Sequence, residues 1–140
     1  MYKKIMVAVD GSDTAKRALM EAENIAETYD ATLCIVYSIN LFVGVDIAAE
    51  KKKGVEILEL TKSLVNISNT EIRLLEAETE FGLNGIVEAV SAAVVDWKAD
   101  LLVVGTANRR GLERFFVGSV AEQLITKVNS SILLVRPPKA

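Results

Sequence analysis

The stretch Asp100–Thr106, DLLVVGT, decides how this chain folds. Four consecutive apolar residues lie between an aspartate and a Gly-Thr pair. A short continuous apolar run bounded by turn-forming residues marks a strand buried on both faces, and such strands belong to parallel sheets covered by helices. The sequence on either side must then supply those helices. Upstream, Asn84 is placed to cap a helix whose apolar residues Ile86, Val90, Ala93, Val94 and Trp97 share one face, ending near Ala99. Downstream, Ser119 to Asn129 carries Ala121, Leu124, Ile125 and Val128 on one face, and Ser131–Val135 closes the pattern as a strand before Pro137 and Pro138.

The same alternation runs back to the N-terminus. Lys3–Asp10, KKIMVAVD, reads as a buried strand ending at Asp-Gly-Ser. Ser12 is a cap and Asp13 a favourable first-turn residue for a helix that buries Ala15, Ala18, Leu19, Ala22, Ile25 and Ala26. Thr32–Ile39 is a second buried strand. After the apolar loop LFVGVDI, a helix is predicted from about Ala48 to Val65, with Ile57, Leu58, Leu64 and Val65 inward and Gly54 weakening it. Glu71–Thr79 alternates Ile72, Leu74 and Ala77 with Arg73, Glu76 and Glu78, which suits a strand at a sheet edge. Five strands alternating with four helices predict an α/β fold, an open parallel sheet doubly wound with helices on both faces; right-handed crossovers leave few windings, and the expected order 3-2-1-4-5 is the one that makes strands 1 and 4 neighbours. At 140 residues, with no Pro- or Ser-rich linker, the expectation is one domain spanning 1–140.

Composition removes several functions. The chain is 51% hydrophobic and 25% charged, which excludes disorder. A net charge of −3 lacks the basic excess that nucleic-acid binding usually needs. The longest uncharged stretch, Ala31 to Val45, falls short of the roughly 20 apolar residues that cross a bilayer. MYKKIMVAVD has no signal-like core with a cleavage site, so a cytoplasmic protein without membrane contact is expected. The one cysteine, Cys34, sits in an apolar run and reads as core. There is no histidine, which rules out Ser-His and Cys-His nucleophiles and the commonest metal ligand.

In open sheets of this kind a ligand sits beyond the carboxyl ends of the strands, where the winding reverses. The first strand ends in Val9, Asp10, Gly11 and Ser12, and the fourth in Gly105 and Thr106, followed by ANRRGLERFFVGS. Gly105 would let backbone approach a ligand, Gly118-Ser119 opens a helix whose free N–H groups suit phosphate, and Arg109 and Arg110 could add charge. Asp10, an acceptor, suits a ribose hydroxyl or an adenine amino group. Each has a structural alternative: Ser119-Val120-Ala121-Glu122 is a capping box, Gly105 and Gly111 serve turns, the arginines are solvated, and Asp10 favours a turn. These residues point to a phosphate-bearing ligand, with no Walker-type Gly-Lys-Ser or Gly-Lys-Thr.

Taken together, VAVDGS, DLLVVGT, the long loop into GSVAEQL and the terminal SSILLVR resemble the universal stress protein family from end to end. The ATP-binding members carry G-x2-G-x9-G-[ST]; Gly105, Gly118 and Ser119 match it, and Asn108 stands in place of the middle glycine. The resemblance implies that Ala8, Val9 and Asp10 hold the ribose or adenine region, that Ser38 and Val104 line the adenine pocket, and that Thr106, Asn108, Arg109, Gly118, Ser119 and Val120 surround the phosphates. Ser38 departs from the apolar residue more usual there. The implied ligand is ATP or another adenine nucleotide, with any Mg or Mn held largely by the phosphates, in a homodimer paired through Ser131–Val135. Two other readings stay open: an interaction dimer of the same fold that binds no nucleotide, and a slow ATPase or a phosphoryl or nucleotidyl transferase using Asp10 or Ser119. For the second, the chain offers no evident base to orient water.

Overall fold

A computed structural model describes residues 1–78, 83–106 and 119–137. In chain order the elements are β1 (Lys4–Val9), α1 (Asp13–Tyr29), β2 (Thr32–Leu41), α2 (Ile47–Ser63), β3 (Thr70–Glu78), α3 (Leu83–Trp97), β4 (Leu101–Gly105), α4 (Ser119–Lys127) and β5 (Ser131–Val135). The five strands form one parallel sheet in the order β3-β2-β1-β4-β5. This is the predicted winding, with β1 at its centre and β3 at an edge.

The period-2 alternation of each strand sends its side chains to two separate cores. Ile5, Val7, Leu33, Ile35, Leu101 and Val103 pack under α1 and α2, where Ala18, Leu19, Ala22 and Leu58 meet them. Met6, Cys34, Val36, Leu102 and Val104 pack under α3 and α4, against Val87, Val90, Trp97, Ala121 and Leu124. Both faces of the sheet are therefore covered, as parallel sheets require.

The local signals explain where the elements stop. Ser12 caps α1 by accepting the Ala15 N–H at 3.1 Å. Asp30, in the left-handed region with φ 54°, closes it by donating its N–H to the carbonyls of Ala26 and Glu27. α2 ends at Ser63, so Leu64 falls beyond the last turn and is 59% exposed, not inward as its spacing suggested. α3 begins at Leu83 and already contains Asn84. Asp100, which reads as the first residue of a strand, precedes β4 and does something else: its carboxylate accepts the N–H groups of Lys3 (2.8 Å) and Lys4 (3.1 Å), fastening the start of β1 to β4. At the same end of the sheet Trp97 donates its indole N–H to Glu71 (3.2 Å), Lys4 Nζ lies 4.6 Å from the centre of the Trp97 ring, and Arg73 pairs with Asp96 at 2.8 Å.

Gly54 weakens α2 by propensity but is needed for packing. A β-carbon there would meet Leu74 Cδ1 at 2.5 Å and Ile39 Cγ2 at 3.0 Å, so a side chain at position 54 would have to displace the side chains of β2 and β3 on which α2 packs. We expect Gly54→Val to lower stability by about 1–3 kcal/mol through overpacking, as measured by urea denaturation.

Candidate functional site at the ends of β1 and β4

Pairing of β1 with β4 (Ile5↔Leu101, Met6↔Leu102, Val7↔Val103) sets the ends of these two strands side by side. From β1 the chain passes to α1 on one face; from β4 it reaches α4 on the other. The helices leave in opposite directions, and the sheet edge between them is where an open α/β fold takes its ligand.

On the β1 side, Asp10 is exposed and its Oδ1 accepts the Ser12 N–H at 2.9 Å, an Asx turn in which Gly11 has φ 85°. A carboxylate can accept several hydrogen bonds, so this local bond orients the group and leaves it acceptor capacity. Alternation along the strands assigns the predicted pocket residues to faces. Ala8 lies on the α3/α4 face with Val104 and Val120. Ser38 shares that face with Cys34 and Val36 and is half-buried. Val9 faces the other way, into the core under α1, so the side chains of Ala8 and Val9 serve opposite sides of the sheet.

On the β4 side, Thr106 is buried and continues the ladder by donating its N–H to the Val135 carbonyl at 2.9 Å. Ser119 is the first residue of α4, with Glu122 in its first turn. Asn108, Arg109, Arg110, Gly111 and Gly118 lie outside the described residues. Gly105 has a neighbour that sequence reasoning missed: a β-carbon there would stand 2.7 Å from Thr14 Cγ2. Nothing in the spacing of Thr14, two residues past the Ser12 cap, distinguishes it from any other helical position.

Cys34 is excluded as a reactive group. Burial pushes its thiol up to about 12, against the lowering influence of the Arg73 charge. Among the described residues, no group of three or more His, Cys, Asp or Glu is placed to hold a metal ion. No helix of the described residues is long and apolar enough to cross a membrane.

A doubly wound parallel sheet with an oriented carboxylate at the end of β1, beside the end of β4, places the chain among the open α/β proteins. Within that class, residues 1–136 match the model of the universal stress protein family, and the chain belongs to it. The universal stress protein MJ0531 of Methanocaldococcus jannaschii is 34% identical, over 99% of this chain and 85% of its own length. A universal stress protein crystallised in complex with cAMP superposes with a TM-score of 0.76 at 23% identity, covering 98% of this chain and 99% of its own. That of Archaeoglobus fulgidus in complex with dAMP does so with a TM-score of 0.67 at 24% identity, covering 96% and 98%. At such identities the two structures show a common fold.

At about pH 8 the native protein should resist a thiol-specific reagent and react with one equivalent once unfolded in guanidinium, since an unfolded thiol titrates near 8.5. The protonated buried thiol contributes stability below the unfolded thiol's range, and this is lost as pH rises from there toward 12. Rapid labelling of the folded chain would contradict the burial of Cys34.

Proposed function

We propose that this chain binds an adenine nucleotide, ATP included, in the crevice between the ends of β1 and β4, and acts in a stress response or in signalling through the occupancy of that site. The observation that carries this reading is the β1–β4 pairing, which brings the Asx turn of Asp10 and the end of β4 to one place. Structural neighbours that hold cAMP and dAMP support it. Asp10 accepts from the ribose or from the adenine amino group. Ala8, Ser38 and Val104 form the base side of the site, and the α4 start receives phosphate oxygens with Thr106, Asn108, Arg109, Gly118, Ser119 and Val120 around them. A Mg or Mn ion, where one accompanies the nucleotide, is held by the phosphates, which are hard oxygen ligands. Turnover is slow or absent, because a chain without histidine has no evident base for the attacking water.

The chain acts in the cytoplasm as a homodimer paired through Ser131–Val135. β5 ends the sheet, and the donation of Thr106 N–H to the Val135 carbonyl shows which of its backbone groups face β4. By alternation the N–H and carbonyl groups of Ile132 and Leu134 point to the open edge. An uncharged edge of this kind is stabilised by pairing with a second copy. Sedimentation equilibrium is expected to give the dimer mass, and a monomer at all concentrations would refute the pairing.

Calorimetric titration with ATP and magnesium should show saturable binding. Gly118→Val, which places a branched side chain at the head of α4, should abolish it without loss of the far-ultraviolet dichroism. Asn108→Gly should tighten it if the asparagine crowds the phosphates. Absence of heat and of thermal stabilisation at millimolar nucleotide would favour the interaction dimer that binds none.

A further inference from the structure

Gly105 raises a question that its backbone does not answer. It lies in a strand, paired with Val135, and is not among the glycines of positive φ, which are Gly11 and Gly44 among the described residues. A glycine inside a strand weakens it, so an ordinary backbone conformation leaves its lack of a side chain to be explained by what stands next to it. That neighbour is Thr14, in the first turn of α1. A β-carbon on Gly105 would lie 2.7 Å from Thr14 Cγ2 and 3.4 Å from Thr14 Cβ, and Thr14 is itself buried. The approach to the Thr14 β-carbon is an ordinary contact, so the atom that excludes a side chain at position 105 is the Thr14 methyl group. Four residues before Thr14 comes Asp10, and one residue after Gly105 comes Thr106. The contact thus joins the two walls of the crevice on the side of the sheet opposite α4.

We propose that Thr14 is a positioning residue of the nucleotide site: its methyl group occupies the side-chain position of Gly105 and thereby sets the separation between the Asp10 turn and the end of β4. The inference rests on the nucleotide reading above and adds to it a residue that touches no ligand. It also separates two duties of Gly105. Its backbone remains open to a ligand beyond the strand end, while its missing side chain accommodates α1. Two atoms distinguish Thr14 from its relatives: serine lacks the methyl group and keeps the hydroxyl, whereas valine keeps a methyl group there and lacks the hydroxyl.

The test is a mutant cycle on the full chain, read by thermal midpoint and by the calorimetric Kd for ATP. Gly105→Ala should lower the midpoint and weaken ATP binding about tenfold, a common size for coupling between touching residues. Adding Thr14→Ser to Gly105→Ala should recover most of both losses by making room for the new β-carbon. Alone, Thr14→Ser should weaken binding several-fold, while Thr14→Val should bind as the parent does. Loss of affinity in Gly105→Ala with an unchanged midpoint and no rescue by Thr14→Ser would mean that the glycine is bare for the ligand's sake, which overturns the proposal. Equal affinities of Thr14→Ser and the parent would overturn it as well. If the parent itself binds no adenine nucleotide, the functional reading fails at that step, and the positioning role falls with it. Failure of this inference alone shows only within the cycle, with the parent binding normally.

Discussion

The structure depends on the burial of β1 from four sides. Its neighbours β2 and β4 take its backbone groups on either edge, and Ile5, Met6 and Val7 are wholly inaccessible, sent alternately to the two faces. A strand in that position cannot be left uncovered on either face, because its side chains are apolar in both directions. The chain therefore winds outward from β1 twice, placing α1 and α2 on one face and α3 and α4 on the other. Where the two windings diverge, the ends of β1 and β4 lie side by side. The site is thus a product of how the core is covered.

The chemistry of the crevice follows from what stands at its walls. Asp10 brings an oriented acceptor on the β1 side, and the start of α4 at Ser119 brings the positive end of a helix dipole on the other. Between them lie small or apolar side chains, Ala8 and Val104, with Ser38 adding a hydroxyl.

The two edges of the sheet differ. β3 carries Glu71, Arg73, Glu76 and Glu78; Arg73 pairs with Asp96, and Glu76 lies 3.8 Å from Lys51. Such an edge discourages pairing with a second sheet. β5 is SILLV, with no charge in the strand. The asymmetry leaves β5 as the uncharged edge of the sheet.

Element type and order were legible in the sequence because each element follows from short-range patterns: runs of β-branched and aliphatic residues for β1, β2 and β4, the i, i+4, i+7 spacing of α3, and the Ser12 cap of α1. Right-handed crossovers narrowed the windings to a few, and the pairing of β1 with β4 selected the order among them. By itself, then, the sequence determined the fold class and the sheet covered on both faces. Only the tertiary structure decided that Asp100 fastens the start of β1, that Leu64 falls outside its helix, that Val9 turns away from Ala8, and that Gly54 and Gly105 are bare to admit Leu74 and Thr14. These depend on distances between residues far apart in the chain, and a linear pattern records which residues are small or polar but not which atoms will come to rest against them.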